Sequence, residues 1–245
     1  MIPDFLRYII NFFDNFSKKK ILKILRSFFN NNIQYIVDVG AHHGETIAFL
    51  RKNFIFEKIY AFEPSEKNFN KLQNNINLLI NNKNILLINK GLGEVSEEKY
   101  LKEVNESSSS TYCNLNSKSK YYKKKKLIFN LFNKNKEFYK LKSTKIMTLR
   151  DFFEEHSIKY INYLKIDTEG FELNVIKGLQ DYICKIQIIH FEHHYDDMLN
   201  KNYKFTDINQ LLLRNNFSQI FKIKMFFRKS FEYLYLNKSF NNNKS

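Results

Sequence analysis

The chain contains few of the residues that mark several large protein classes. Its 245 residues include 2 cysteines, 2 prolines, 6 glycines and no tryptophan. Two cysteines exclude a disulfide scaffold, and a chain of this length can bury a core without such links. The scarcity of proline and glycine excludes collagen-like and low-complexity chains, and a hydrophobic content of 43% excludes intrinsic disorder. Sparse cysteine fits a reducing compartment, so we expect a cytoplasmic protein.

Long hydrophobic runs are also missing. The most apolar N-terminal stretch, residues 8–13, is far shorter than the ~20 apolar residues that a membrane span needs. Charged residues surround this stretch, and no small-residue cleavage site follows it. The sequence therefore predicts neither a transmembrane helix nor a secretory signal.

Acidic residues are outnumbered, with 25 Asp and Glu against 40 Lys and Arg, a net charge of +15. Such an excess suggests nucleic-acid binding, because basic side chains release counterions from phosphates. However, 34 of the 40 are lysine, whereas base readers and phosphate clamps favour the arginine fork. The chain also has 32 Asn and 27 Ile, which suits an AT-rich genome. We favour the compositional explanation.

Residues 1–32 are predicted to form an N-terminal helical extension. Apolar residues recur at helical spacing over 6–16 and again over 21–29. The simplest interpretation is a helix packed on the domain that follows. The lysine run at 18–20 allows an alternative, an interfacial helix in peripheral contact with anionic lipid.

Strands and helices are predicted to alternate after residue 33. Short apolar runs at 35–39, 58–62 and 84–88 have strand character. The helices predicted between them span 45–53 and, from the N-cap Ser65, continue to Leu79. Three such repeats predict a parallel sheet with helices on both faces.

The alternation returns after residue 148. The predicted elements are a helix at 149–156 capped by Thr148, a strand at 160–166, a helix at 170–182, a strand at 185–191, a helix capped by Thr206 or Asp207, and an antiparallel hairpin of 217–227 and 231–236. A polar tail, 237–245, is expected to fray.

Residues 93–146 break this rhythm. They contain a Lys-rich insertion at about 105–145, in which 118–145 alone holds 11 Lys and one acid. We interpret the segment as an insertion over the sheet with a mobile tip. It is also the part of the chain that a nucleic-acid-binding protein would use as its clamp.

Two turns at predicted strand ends have the character of a cofactor site. The first strand runs into Asp38, Gly40 and Gly44, where glycines allow close backbone approach and the next helix presents free N–H groups. The spacing is not the G-x-G-x-x-G of dehydrogenases, which disfavours that class. The second strand ends at Glu63, an acid placed to bridge ribose hydroxyls. Its alternative role is a charge at a helix N-terminus.

Acids and histidines follow the fourth and fifth predicted strands. Asp167 and Glu169 lie at the end of the fourth, and Glu192, His193 and His194 follow the fifth. Ligands of open α/β sheets bind outside the carboxyl ends of the strands, so these side chains are expected in the same crevice as Gly40. Because His193 and His194 are adjacent, we expect them to point apart, with at most one functional and the other a surface histidine.

Together these motifs resemble a known family. The segments V-D-V-G-A-H-H-G at 37–44, F-E-P at 62–64 and L-K-I-D-T-E-G-F-E at 164–172 are similar to those of FkbM-family S-adenosylmethionine-dependent methyltransferases. The resemblance runs in order from about 33 to 236. The Lys-rich stretch 118–145 departs from the family, whose tract there is usually shorter.

The resemblance implies a Rossmann-like class I methyltransferase domain over 33–236, with a mostly parallel seven-stranded sheet and a C-terminal antiparallel hairpin. S-adenosylmethionine is the implied cofactor. The implied cofactor residues lie in the motifs after the first three strands: Asp38, Gly40, Ala41, His42, Gly44, Glu63, Pro64 and Gly91. Of these, Glu63 would hold the ribose hydroxyls and Gly91 would border the adenine.

The implied reaction is methylation of a hydroxyl on a sugar, glycan or related metabolite. A neutral hydroxyl must lose its proton, which a carboxylate or imidazole can accept. The candidates are Asp167 first, His193 second, and Glu169. A divalent cation held by Asp167, Glu169 and Glu192 is an alternative that we do not favour, because the sequence does not identify a complete set of metal ligands. We expect a small-molecule or glycan acceptor, with an anionic one suggested by the lysines. The alternative is a nucleic-acid-binding protein or RNA methyltransferase that uses 118–145.

Overall fold

The computed structural model describes residues 4–79, 82–104, 110–132, 137–226 and 228–243. Twelve strands occur in these ranges: β1 (Tyr35–Val39), β2 (Lys58–Phe62), β3 (Ile85–Ile88), β4 (Gly91–Leu92), β5 (Glu97–Val104), β6 (Asn114–Leu115), β7 (Tyr139–Met147), β8 (Ile161–Ile166), β9 (Ile186–His194), β10 (Leu199–Asn200), β11 (Phe217–Lys224) and β12 (Ser230–Asn237).

Seven of these strands form the main sheet, in the order β11-β12-β9-β8-β1-β2-β3. β1, β2, β3, β8 and β9 are mutually parallel, whereas β12 pairs antiparallel with both β9 and β11. This confirms the predicted fold class, including the C-terminal hairpin. Because the order of the parallel strands reverses direction at β1 and β8, a crevice opens at their carboxyl ends.

Seven α-helices flank the strands in the described residues: α1 (Asp4–Phe29), α2 (Glu45–Asn53), α3 (Glu66–Asn77), α4 (Lys120–Phe132), α5 (Leu149–Glu155), α6 (Glu172–Lys177) and α7 (Phe205–Arg214). Short 3-10 helices span Gln180–Lys185 and Lys238–Asn243. One face of the sheet packs on α5, α6 and α7, and the other on α1, α2 and α3. Strands buried on both faces explain the continuous apolar runs in the sequence.

The N-terminal helix is part of the main core. Ile21, Leu25 and Phe29 recur at a spacing of four, and all three are buried against the same sheet face as α2 and α3. The interpretation of 1–32 as a helix packed on the domain therefore holds for residues 17–29. Residues 1–3 lie outside the described residues.

The Lys-rich insertion contains a helix that the sequence analysis did not predict. In α4, Tyr122 and Phe129 are buried against Phe138 and Met198, while the lysines between them lie on the outer side. The helical spacing of these two buried aromatic residues, seven positions apart, is not apparent in the sequence because lysines surround them. Residues 105–109 and 133–136, where the mobile tip was expected, lie outside the described residues.

The second half of the domain departs from the predicted boundaries at three points. α6 spans only Glu172–Lys177 and ends at Gly178, where a Cβ would lie 2.0 Å from the carbonyl oxygen of Gly93. β9 continues to His194, because β12 pairs with it along that length. The predicted N-caps Thr206 and Asp207 are wrong: Lys204 is the N-cap of α7, and its N–H donates to the Asp207 carboxylate at 2.7 Å.

The two cysteines differ in exposure, and the C-terminal tail follows the last strand. Cys113 is buried and Cys184 is exposed, and both are free. The tail forms one 3-10 turn after β12, and residues 244–245 lie outside the described residues. Within the described part of the chain, none of the helices has the length and apolarity that crossing a bilayer requires.

Replacing Leu25 with alanine tests whether α1 belongs to the core. Leu25 is fully buried, so Leu25→Ala should lower the free energy of unfolding by about 2–5 kcal/mol. Urea unfolding measures the change. The matched control is Leu213→Ala in α7, whose side chain is 52% exposed and should cost no more than about 0.5 kcal/mol. Equal effects of the two substitutions would contradict the packing of α1.

Candidate active site

One cavity of about 300 Å³ opens at the carboxyl ends of the parallel strands. Its walls come from the turns that follow β1, β2 and β8, from the inner face of β9 and β12, and from α1. Six of the eight predicted cofactor residues line it, namely Gly40, Ala41, His42, Glu63, Pro64 and Gly91. Gly44 does not line it, although its neighbour Glu45 does. Asp38 does not line the cavity.

The turn after β1 is shaped by two glycines. Gly40 has φ +80°, and a Cβ there would lie 2.0 Å from the backbone oxygen of Asp167. Gly40 is thus required by the close approach of the turns after β1 and β8. Gly44 has φ +93° at the start of α2, and its N–H bonds the carbonyl of Ala41, which closes the turn. This turn therefore stands directly against Asp167.

His42 links the turns after β1 and β2. Its φ is +50°, and its N–H donates to Glu63 Oε2 at 2.9 Å. Its ring stacks on His43 at 3.6 Å and lies 3.1 Å from Glu45. Burial would raise the pKa of Glu45, but hydrogen bonding to His42 lowers it to about 2. The histidine pair therefore holds a charged carboxylate at the start of α2.

Glu63 lines the cavity with a carboxylate that backbone hydrogen bonds hold in place. It is buried, and its two oxygens accept from the N–H groups of Ser65, at 3.0 Å, and His42. Burial raises the pKa of Glu63 to about 7, against the effect of these hydrogen bonds. The Asn68 side chain also hydrogen-bonds this carboxylate, and of its roughly four lone-pair sites one is left for a ligand hydroxyl.

Gly91 forms part of an apolar end of the cavity that includes Leu92, Leu101 and Tyr112. A Cβ at Gly91 would lie 2.3 Å from Tyr112 Oη, so glycine is what allows the ring to close over this end. The Tyr112 hydroxyl hydrogen-bonds Thr144 at 2.8 Å. Tyr112 comes from the segment after the Ser run, and no sequence motif marks it.

Three adjacent strands bring titratable residues together on the inner face of the sheet. Asp38 on β1 lies beside Lys165 on β8, which lies beside His190 on β9. Lys165 Nζ contacts Asp167 at 3.2 Å. Burial would lower the pKa of Lys165, but the carboxylates of Asp167 and Asp38 raise it. In return, Lys165 lowers the pKa of Asp167 against the effect of burial.

Asp38 is buried below the turn, and neither of its carboxylate oxygens has a hydrogen-bond partner. Burial raises its pKa to about 6, although the Lys165 charge opposes the change. Lys165 and His190 line the cavity, and so does Tyr163, whose hydroxyl hydrogen-bonds His190 Nδ1. Burial and the charge of Lys165 lower the pKa of His190 to about 3, so its ring is neutral. The residues predicted to bind the cofactor or to act in catalysis included neither His190 nor Lys165.

Glu192 and Glu232 extend this inner face. They lie opposite each other on β9 and β12, and both line the cavity. Burial raises the pKa of Glu232, and the charge of Glu192 adds to this, to about 8. The Arg228 guanidinium lies 3.9 Å from Glu192 at the mouth. Neither Glu232 nor Arg228 was predicted, because only the antiparallel return of β12 brings them here.

His193 and His194 do point apart. The ring of His194 lies 3.4 Å from Glu169, 3.7 Å from Glu192 and 3.5 Å from Asp196. The ring of His193 faces Tyr203 and other aromatic rings on the opposite side of β9 and does not line the cavity. Neither is a surface residue, which corrects the expectation for one of them: His193 is buried and the His194 side chain is 11% exposed.

The predicted catalytic and metal candidates are thus divided. Asp167, Glu169 and Glu192 line the cavity, whereas His193 does not. Burial raises the pKa of Glu169 to about 7, with His194 opposing. Among the described residues, one trio has ligand atoms within 4.8 Å of one another, and it is His42, His43 and Glu45 rather than the predicted three.

Comparison with known proteins agrees with this architecture. Residues 38–218 match the model of the methyltransferase FkbM domain. No curated protein sequence matches the chain. A methyltransferase FkbM of Methylobacillus flagellatus has a similar fold, with a TM-score of 0.53 and 17% identity. The similarity covers 84% of this chain and 44% of that protein, so the chain spans less than half of its length.

A second similar fold is that of magnesium protoporphyrin IX methyltransferase from Synechocystis, solved with bound S-adenosylmethionine. Its TM-score is 0.50 and its identity 9%, over 94% of this chain and 82% of that protein. At these identities the two structures establish a common fold.

The charge of His194 should make stability depend on pH. Burial alone would lower the pKa of His194, but Glu169 and the other carboxylates raise it to about 10. Its contribution to stability is therefore complete below the ordinary histidine pKa of about 6.5 and is lost as pH rises through about 10. We expect the destabilisation caused by His194→Gln to be largest near pH 6 and to shrink towards pH 10, measured by thermal unfolding. A difference that does not vary with pH would contradict this.

Proposed function

The chain belongs to the family of methyltransferase FkbM domains, and from this we propose that it transfers the methyl group of S-adenosylmethionine to a hydroxyl on a sugar, glycan or related metabolite. The observation that carries the hydroxyl assignment is the set of carboxylates, Asp167, Glu192 and Glu232, that faces one cavity around a buried lysine. Carboxylates both bind hydroxyl groups and accept their protons.

The residues around the cavity fit the cofactor. The carboxylate of Glu63 is held by two backbone N–H groups and the Asn68 side chain, and it lines the cavity where it can accept from a ribose hydroxyl. The apolar end at Leu92, Leu101 and Tyr112 suits an adenine ring. Gly40 and Ala41 expose backbone at the opposite side, next to Asp167. When bound, the cofactor supplies an electrophilic methyl carbon.

Asp167 is our candidate for the group that accepts the hydroxyl proton. Its carboxylate lines the cavity next to the β1 turn, where the methionine part of the cofactor would lie. The neighbouring Lys165 lowers the pKa of Asp167 against burial, so Asp167 is ionised at neutral pH and can hydrogen-bond a hydroxyl. The protein's main contribution is then to hold an acceptor oxygen in line with the methyl carbon.

Glu169 remains a candidate for accepting the hydroxyl proton. His193 is not, because its ring does not reach the cavity. Glu169 lines the cavity, and burial holds its pKa near 7, a value that suits proton transfer. His193 is separated from the cavity by the β9 backbone. Through its contact with Glu169, His194 acts as a positioning residue.

The acceptor end of the cavity favours a sugar over a nucleobase. Enzymes that act on bases stack the flipped base between aromatic or apolar side chains. Here the inner face of β8, β9 and β12 offers Lys165, His190, Glu192 and Glu232, with Tyr163 as the aromatic residue of β8. Several carboxyl groups at one wall match the hydroxyl groups of a polyol.

Removing the Glu63 carboxylate should weaken cofactor binding. Hydrogen bonds to charged groups contribute about 1.5–3 kcal/mol, so Glu63→Ala should raise the Kd for S-adenosylmethionine about 10- to 100-fold in calorimetry. Glu63→Gln, which keeps one acceptor oxygen, should have a smaller effect. Glu66→Ala, the same change at an exposed position of α3, is the matched control. Unchanged affinity in Glu63→Ala would disprove the ribose assignment.

Neutralising Asp167 should slow transfer more than it weakens cofactor binding. We expect Asp167→Asn to lower kcat about 100- to 10,000-fold, because a general base contributes that range. The assay is cofactor turnover with a panel of neutral and acidic sugar acceptors, with RNA as a competitor. Asp181→Asn, at an exposed position in the 3-10 helix before the amino end of β9, is the matched control.

Three outcomes of this assay are distinct. Transfer to a glycan hydroxyl that Asp167→Asn abolishes supports both the acceptor class and the base. Transfer that Asp167→Asn leaves unchanged disproves the role of Asp167. Transfer to RNA in place of the sugars disproves the acceptor class.

A further inference from the structure

Two segments far apart in the sequence line the mouth of the cavity, and a third lies close to it. Lys18 and Ile21 of α1 line it, as do Met225 and Arg228 of the turn between β11 and β12. Tyr121 of α4 lies within electrostatic range of Arg228 and of Glu169 inside the cavity. α4 is also tied to the loop after β9, because the Ser119 hydroxyl donates to Asp197 at 2.7 Å. α1 and this turn therefore line the mouth, and α4 lies close to it.

These three segments carry charge of one sign. Residues 16–20, 120–128 and 224–229 hold three, five and three basic residues respectively, and no acidic residue. The chain as a whole has 25 acids, so their absence from these segments is a local feature. The excess positive charge is thus concentrated around the mouth, on α1 and the turn as well as on the insertion.

Large apolar side chains stand exposed among these basic residues. Phe16 is 45% exposed, Phe226 37%, Leu127 64% and Ile128 41%. The rings of Phe16 and Phe226 pack edge to face at 6.4 Å, which joins α1 to the turn. The ammonium of Lys20 lies 4.5 Å above the Phe16 ring. Exposed aromatic and aliphatic residues interleaved with lysine are the composition of surfaces that insert into a membrane interface.

We propose that this mouth surface binds an anionic lipid bilayer, so that the cavity opens towards acceptors anchored in it. We define the mouth surface by six exposed residues of the three segments, Phe16, Lys20, Lys124, Leu127, Phe226 and Lys229. Its lysines meet the negative lipid headgroups, and its apolar side chains enter the headgroup boundary.

The composition favours a bilayer over nucleic acid. A nucleic-acid surface would pair its basic residues with aromatic rings for stacking and would favour arginine. Here two of the four exposed apolar residues are the aliphatic Leu127 and Ile128, and Arg228 is the one arginine of the three segments. The nearby acids Asp196 and Asp197 already have partners, in His194 and Ser119.

Sedimentation with vesicles tests the proposal without any acceptor, so the result does not depend on the proposed reaction. The full chain is incubated with vesicles of phosphatidylcholine alone or of phosphatidylcholine and phosphatidylglycerol in equal parts. We expect binding to the second only, and weaker binding as NaCl is added, because salt screens the attraction.

Charge reversal at two points of the mouth surface should reduce this binding. Each lysine near an anionic surface contributes about 1 kcal/mol, so Lys20→Glu with Lys124→Glu should weaken partitioning at least about thirtyfold. Phe16→Ser with Phe226→Ser should also weaken it, with less dependence on salt. The matched control is Lys52→Glu with Lys159→Glu, the same change at exposed positions near the opposite edge of the sheet.

Calorimetric binding of S-adenosylmethionine checks that each variant is folded. The proposal is overturned if wild-type protein does not bind anionic vesicles, or if the mouth and control variants lose binding equally. It is also overturned if single-stranded RNA binds to the mouth surface and the vesicles do not. Wild-type binding that the mouth variants lose and the control variant keeps supports it.

Discussion

The buried ammonium of Lys165 is the positive charge around which the cavity is organised. It contacts Asp167 and lies beside Asp38 and His190 on the adjacent strands. Several carboxylates on one buried sheet face would repel one another and pick up protons if no cation lay among them. Lys165 keeps Asp167 ionised against the effect of burial, and burial together with the charge of Lys165 keeps His190 neutral. The ionised Asp167 that the proposed reaction needs therefore depends first on Lys165, with His194 and Arg228 adding to its effect.

His194 has the corresponding role at the outer end of the same face. Its ring lies between Glu169, Glu192 and Asp196, and these carboxylates keep it charged. The two cations divide the acids into an inner group near the cofactor turn and an outer group near the mouth. Glu232 lies opposite Glu192 and 3.8 Å from the neutral ring of His190, and burial together with the charge of Glu192 raises its pKa to about 8. The cavity thus offers both ionised and protonated carboxyl groups to a polyhydroxyl ligand.

Much of the fold and of the cofactor turns could be predicted from the sequence, because local signals carry them. Apolar runs marked the strands, and Gly40 and Glu63 stood at strand ends, where parallel sheets place their ligands. Boundaries were less predictable: α7 begins at a lysine cap, and β9 is lengthened by pairing with β12. α4 was missed because its two buried aromatics are hidden in a run of lysines. Such features depend on partners that are distant in sequence.

By itself the sequence determined the order of elements, the turns that would hold a cofactor and the family, since each rests on residues close together in the chain. Tertiary structure decided which side chains face the cavity. It directed His193 away from the cavity and His194 towards the acids, although the two are neighbours, because successive residues of a strand point to opposite faces. It also brought α1 and the last hairpin to one mouth and placed α4 close to it. The net charge of +15 is a property of the sequence. Its concentration at that mouth is a property of the fold, because only packing brings segments a hundred residues apart into one surface.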